Sequence, residues 1–114
     1  MIHELRTYTV KQGSLPEMIK NSSTISRDIR GDDYGKLEGY WSTEIGPLNQ
    51  VVHLWRYDSL ADMERKRAAR DTDPAWGEFL ALTEGMVLVQ DNKIMRPTSF
   101  SPARHSPAAG STGA

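Results

Sequence analysis

Residues 49–57 read NQVVHLWRY, and both parities of this run carry large apolar or aromatic side chains: Val51, Trp55 and Tyr57 on one, Val52 and Leu54 on the other. Successive side chains of a strand point to opposite faces, so such a strand needs cover on both sides. Near the end of the chain Met86 and Leu88 alternate with Val87 and Val89 in the same way. A chain of 114 residues has material for one core only. Helices are expected to cover one face of the sheet and a second copy of the chain the other, in a homodimer packed sheet against sheet.

The remaining segments set the topology. Residues 2–10, rich in Thr, Tyr and Val and followed by Gln12-Gly13, read as a first strand. Ser14-Leu-Pro-Glu17 has the form of a capping box with Pro16 in the first turn, and Met18, Ile19, Ile25 and Ile29 carry an apolar stripe to Gly31 across the polar centre Asn21-Ser-Ser-Thr24. Residues 36–44 and 49–57 form strands two and three, a hairpin joined over Gly46-Pro47. Asp58 or Ser59 caps a helix over 60–70, with Asp62 completing a second box, and Asp73-Pro74 opens a short helix whose Trp76, Phe79 and Leu80 share one face. Strand four spans 86–96, where Gln90-Asp-Asn92 predicts a bulge or an exposed bend. The domain is thus expected over 1–97, with the Pro-, Ser-, Ala- and Gly-rich residues 98–114 as a disordered tail. The order βαββα(α)β folds most simply as an α+β, ferredoxin-like sandwich.

Several function classes drop out. Charge is interspersed and nets to −1, which steers the chain toward neither nucleic acid nor an acidic membrane. The lack of cysteine removes disulfides, thiolate zinc sites and cysteine nucleophiles. His3, His53 and His105 have no metal-ligand spacing, and neither a G-x-S-x-G elbow nor a Gly-rich phosphate loop occurs, so no metal and no cofactor is expected. The opening MIHELRTYTV lacks a basic leader, and no apolar run approaches the ~18 residues of a membrane span; a soluble, cytoplasmic protein is expected. Arg65-Lys-Arg67 with Arg70, diluted by Asp62, Glu64 and Asp71, reads as a solvated helix face that needs no partner.

The chemistry that survives is small. His53 shares a face with Val51, Trp55 and Tyr57 and could act as a general acid or base, hydrogen-bond a ligand, or be satisfied by a neighbour or the dimer partner. Arg6 and Arg56 are expected to pair with Glu4, Glu38 or Glu44, with Arg6 a candidate for holding a ligand anion. Of the aromatic set Tyr8, Tyr40, Trp41, Trp55, Tyr57 and Trp76, the candidate ligand contacts are Tyr8, Tyr40, Trp55 and Trp76, beside the plainer expectation that most of these rings pack the core or the interface.

The blocks HELRTYTV, GYWSTEIGPLNQVVHLWRYDSL and DPAWGEFL resemble the NIPSNAP family, over roughly residues 1–102. The resemblance implies a dimeric α/β barrel and a sheet-to-sheet dimer, with no agreed activity. The wider superfamily includes cofactor-independent monooxygenases, heme enzymes and small-molecule binders, whose sites lie between helices and sheet. Heme-degrading relatives carry their iron-ligating histidine at a position that falls near Leu80, in GEFLALTEG, which holds no histidine; heme ligation is not expected. The favoured expectation is a dimeric small-molecule binding or interaction protein. The alternative is a cofactor-independent monooxygenase- or isomerase-type enzyme on a small aromatic or apolar substrate, with His53 deprotonating or hydrogen-bonding it and Arg6 stabilising the anion. A cavity beside them below the ~300 Å³ typical of small-molecule sites would sink the enzyme reading.

Overall fold

The two-sided third strand lies inside a sheet rather than at its edge. In a computed structural model describing residues 1–102, β1 (Ile2–Val10), β2 (Lys36–Ser42), β3 (Gln50–Tyr57) and β4 (Val87–Met95) form one antiparallel sheet in the order β2-β3-β1-β4. Between β1 and β2 run α1 (Leu15–Asn21), a π-helical segment (Ser22–Ser26) and α2 (Arg27–Arg30), closed by Gly31 at φ 46°. Between β3 and β4 lie α3 (Leu60–Asp71) and α4 (Pro74–Leu82). This is the expected split βαβ arrangement, helices on one face.

Parity on β3, illegible in the sequence, is settled by burial. Val51, His53, Trp55 and Tyr57 are all buried beneath the helices, and the register sets them against Tyr8, Arg6, Glu4 and Ile2 of β1. The core is therefore two clusters with a gap. Ile2, Trp55, Tyr57 and Met63 pack at one end, Val10, Met18 and Val51 at the other, and the cross-strand pair Arg6–His53 stands between them. Fully burying each large apolar side chain stabilises the fold by about 1.5–3 kcal/mol, so the polar gap is kept at a cost in packing. On the far face, Leu5, Val52 and Leu54 are half-buried, and Trp41, opposite Val52, is 52% exposed.

Several local expectations need correction. Ser14 makes no side-chain cap bond, because its backbone is already helical (φ −91°, ψ −9°) and does not present the hydroxyl to the first free amides. Ser59 is extended and does cap, accepting from the Asp62 amide at 3.0 Å, while the Asp62 carboxylate accepts from the amide of Asp58 at 3.0 Å. Asp73 caps α4 through the Ala75 amide at 3.0 Å. The register irregularity of β4 falls at Leu88, where Thr9 pairs with Val89 and Val10 with Val87; Gln90, Asp91 and Asn92 stay in regular pairing. β4 is an exposed edge strand, where polar side chains need no bulge.

Ion pairing also differs. Arg56 lies 3.9 Å from Glu38, as expected, and Glu38 also approaches His3 Nδ1 at 2.8 Å. Glu4, fully buried, pairs instead with Arg67 of α3 and accepts from Asn92 at 3.3 Å. The α3 basic cluster is thus only partly a solvated face: Arg65 and Lys66 pair with Asp62, but Arg67 reaches the core carboxylate. Among the described residues no helix is long and apolar enough to cross a membrane. Residues 98–102 make a turn closed by the Ser101 amide on the Thr98 carbonyl at 3.1 Å, and the rest of the expected tail, 103–114, lies outside the described residues.

Candidate functional site between helices and sheet

The polar centre of the first helix is where the site begins. Ser23 and Thr24 hydroxyls both donate to the Lys20 carbonyl, at 3.0 and 2.8 Å, competing for an acceptor that an α-helical ladder would use. The helix widens into a π-helical turn there, a geometry often found at functional sites. Ser22 is thereby placed to accept from the Tyr40 hydroxyl at 3.0 Å, and Ser26 is buried.

Four residues later Arg30 is 3% exposed, with its guanidinium carbon 3.7 Å from the Trp55 ring centroid and 5.4 Å from that of Trp76. Arg30 Nη2 donates to the Tyr34 carbonyl at 2.8 Å. Burial pulls its pKa down to about 10, although the neighbouring Tyr57 favours the cation. Such cation–π contacts offset part of the desolvation of a buried guanidinium.

His53 is the centre of the arrangement. The ring of Tyr40 stacks on it at 4.8 Å and 17°, and that of Tyr8 meets it edge-on at 4.8 Å and 86°. Trp55 Nε1 lies 2.6 Å from His53 Nδ1. An indole N–H can only donate, so Nδ1 must be the acceptor and carry no proton. Burial first, then the charges of Arg6 and Arg30, push the pKa down to about 3. The neutral ring therefore holds its one proton on Nε2. It offers an N–H and no free lone pair, which suits polarising an acceptor better than removing a proton.

All six residues singled out from the sequence, Arg6, Tyr8, Tyr40, His53, Trp55 and Trp76, line one cavity of about 210 Å³. Trp41 lies on the opposite face and Tyr57 in the core. The cavity is smaller than the ~300 Å³ that opens the usual range for small-molecule sites. A neighbouring cavity of about 320 Å³ shares Ser22, Ser26, Tyr40 and Trp55 with it.

Three residues that line the first cavity, Arg6, Arg30 and His53, each carry a buried N–H, at Nε, Nε and Nε2, with no acceptor among the described residues. Each such orphan costs about 1–3 kcal/mol. Neither Arg6 nor Arg30 pairs with a carboxylate among the described residues, while Arg70, also on the wall, pairs with Asp71 at 3.2 Å. Burial raises the pKa values of Tyr8 and Tyr40, so both stay neutral phenols. The described residues contain no group of three or more His, Cys, Asp or Glu placed to hold a metal.

Sequence reasoning missed Ser22, Ser26, Arg30 and Arg70. For Arg70 a signal existed: Met63, Arg67 and Arg70 fall at i, i+4 and i+7, the inward stripe of α3. For Arg30 the only cue was a charged residue one position before a helix-closing glycine, which ordinarily reads as a dipole partner.

Comparison with known proteins agrees with the architecture. The family model NIPSNAP matches residues 3–102. Protein NipSnap of Drosophila melanogaster is 31% identical over 103 residues, 90% of this chain and 37% of its own length, and Protein NipSnap homolog 2 of Homo sapiens is 32% identical over 102 residues, 89% and 35%. The chain thus spans little more than a third of these relatives. A NIPSNAP family protein of unknown function from Agrobacterium tumefaciens is 40% identical, with a TM-score of 0.84 over 90% of this chain and 92% of that one. A putative antibiotic biosynthesis monooxygenase from Nitrosomonas europaea, at 9% identity and a TM-score of 0.65 over 85% and 98%, shares the fold alone. With the match running from β1 through β4 and taking in every wall of the cavity, the chain belongs to the NIPSNAP family.

Proposed function

We propose that this domain binds a small molecule in the cavity between helices and sheet, working as a homodimer in the cytosol. The observation that supports it best is that three residues carrying buried, acceptor-less N–H groups, Arg6, Arg30 and His53, line one cavity together with several aromatic rings. The half-buried row Leu5, Val52 and Leu54 with exposed Trp41 supports a partner on the far face, and the family resemblance supports that partner being a second copy.

The catalytic alternative of monooxygenase or isomerase type finds less support. Its base would be His53, whose Nδ1 is occupied by Trp55 and whose Nε2 already carries the proton, and the cavity is small for a substrate that must also turn over.

A thermal-shift screen of small aromatic and apolar compounds on wild type and His53→Ala tests the reading. Hits whose stabilisation disappears in the variant are expected. Identical responses of the two proteins to every hit would make His53 structural, and the absence of any hit would contradict the binding reading.

A further inference from the structure

If the cavity is a small-molecule site, as proposed above, its walls also specify what class of molecule enters. Every unsatisfied polar atom identified on it is a donor: Arg6 Nε, Arg30 Nε and His53 Nε2. The one carboxylate on its wall, Asp71, is engaged by Arg70. Two arginines, Arg6 and Arg30, therefore line the cavity without a carboxylate partner among the described residues. A buried cation of this kind is complemented by an oxygen anion, and guanidinium geometry matches a planar carboxylate.

The two arginines differ in freedom. Arg30 is pinned between Trp55 and Trp76 and donates to Tyr34. It supplies field. Arg6 is only partly buried, makes no ion pair among the described residues, rests 5.3 Å from the Tyr8 ring, and sits directly across the strand from His53. It is the group placed to make contact. The rest of the wall is mixed, the rings of Tyr40, Trp55, Trp76 and Phe79 and the Met18 side chain lying beside the polar Ser22, Ser26, Thr83 and Gln90.

We infer that the cavity selects a small aromatic monocarboxylate, its carboxylate on Arg6 beside the N–H donor of His53 and its ring against Tyr40 and Trp55. The size of the cavity limits the ligand to one ring or a comparable flat body.

The test is a calorimetric titration of the full chain with benzoate, with neutral benzamide and with inorganic phosphate, at fixed ionic strength and near-neutral pH, on wild type, Arg6→Gln and Arg6→Lys. Benzoate is expected to bind about tenfold or more tightly than benzamide, phosphate not at all, and Arg6→Gln to lose about tenfold for benzoate alone. Arg6→Lys, which keeps the charge, should retain part of the affinity and shows that a loss in Arg6→Gln is not misfolding. Equal binding of benzoate and benzamide, or no effect of Arg6→Gln, overturns the anion assignment while leaving the cavity a small-molecule site. Binding of phosphate alone overturns the aromatic assignment. Failure of all three compounds to bind contradicts this inference and the function it rests on.

Discussion

Acidification should weaken this fold through His53. The imidazole is held neutral down to about pH 3 by burial and by Arg6 and Arg30, whereas in the unfolded chain it titrates near the ordinary imidazole value of 6.5. Above that value the ring is neutral in both states and contributes no pH dependence. As the pH falls below it, the unfolded chain takes up the proton first, so stability is lost from about pH 6.5 downward until the folded ring also protonates near 3. Each pH unit in that window is worth about 1.4 kcal/mol, so moving from about pH 7 to about pH 5 costs roughly 2 kcal/mol. For a domain of this size that corresponds to a fall in Tm of roughly 8 °C or more. Circular-dichroism melts of wild type and His53→Gln across this range measure it. The glutamine does not titrate and can still accept from Trp55, and the carboxylates Glu4 and Asp62 act alike in both proteins. The wild type should lose roughly 2 kcal/mol more than the variant. Parallel pH profiles, or a His53 imidazole resonance that titrates near 6.5 in the folded protein, would refute the reasoning.

Further substitutions probe the fold that positions the site. Ser59→Ala should destabilise by about 1 kcal/mol in urea titrations whereas Ser14→Ala should be near neutral, because only Ser59 makes its cap bond. Gly35→Ala should cost about 1–3 kcal/mol: its φ is +118°, and an added Cβ would lie 2.8 Å from the buried Tyr57 ring. Arg67→Met should cost about 2 kcal/mol, below the 3–5 of a fully buried pair because Arg67 is about a third exposed, and Glu4→Gln in the same background should recover part of it.

The element order was readable because each boundary carried its own chemistry: Asp73-Pro74 at a helix start, Gly46-Pro47 between strands, Ser59 as a cap. The face of β3 was not, since Val51 and Val52, or Trp55 and Leu54, are equally apolar; only burial beneath the helices, with Ile2, Glu4, Arg6 and Tyr8 paired opposite, decides it. His53 and Arg6 were legible as candidates yet not as a cross-strand pair, because strand register is a tertiary property. The serines of the first helix read as a weakness in an α-helical stripe, since a stripe at 3.6-residue spacing does not anticipate a π-helical turn. The expected Arg6 ion pair failed for a simple reason: Glu4 faces the helices too, and Arg67 reaches it from α3.

The central claim is that a small molecule enters between helices and sheet and reaches the His53–Trp55 pair. The chain has three tryptophans, of which Trp55 and Trp76 line the cavity and Trp41 lies on the opposite face, so their indole N–H resonances report on both faces at once. In a ¹H–¹⁵N titration with benzoate, the Trp55 and Trp76 signals should shift saturably while Trp41 stays fixed. Movement of Trp41 alone, or of all three without saturation, would contradict the account.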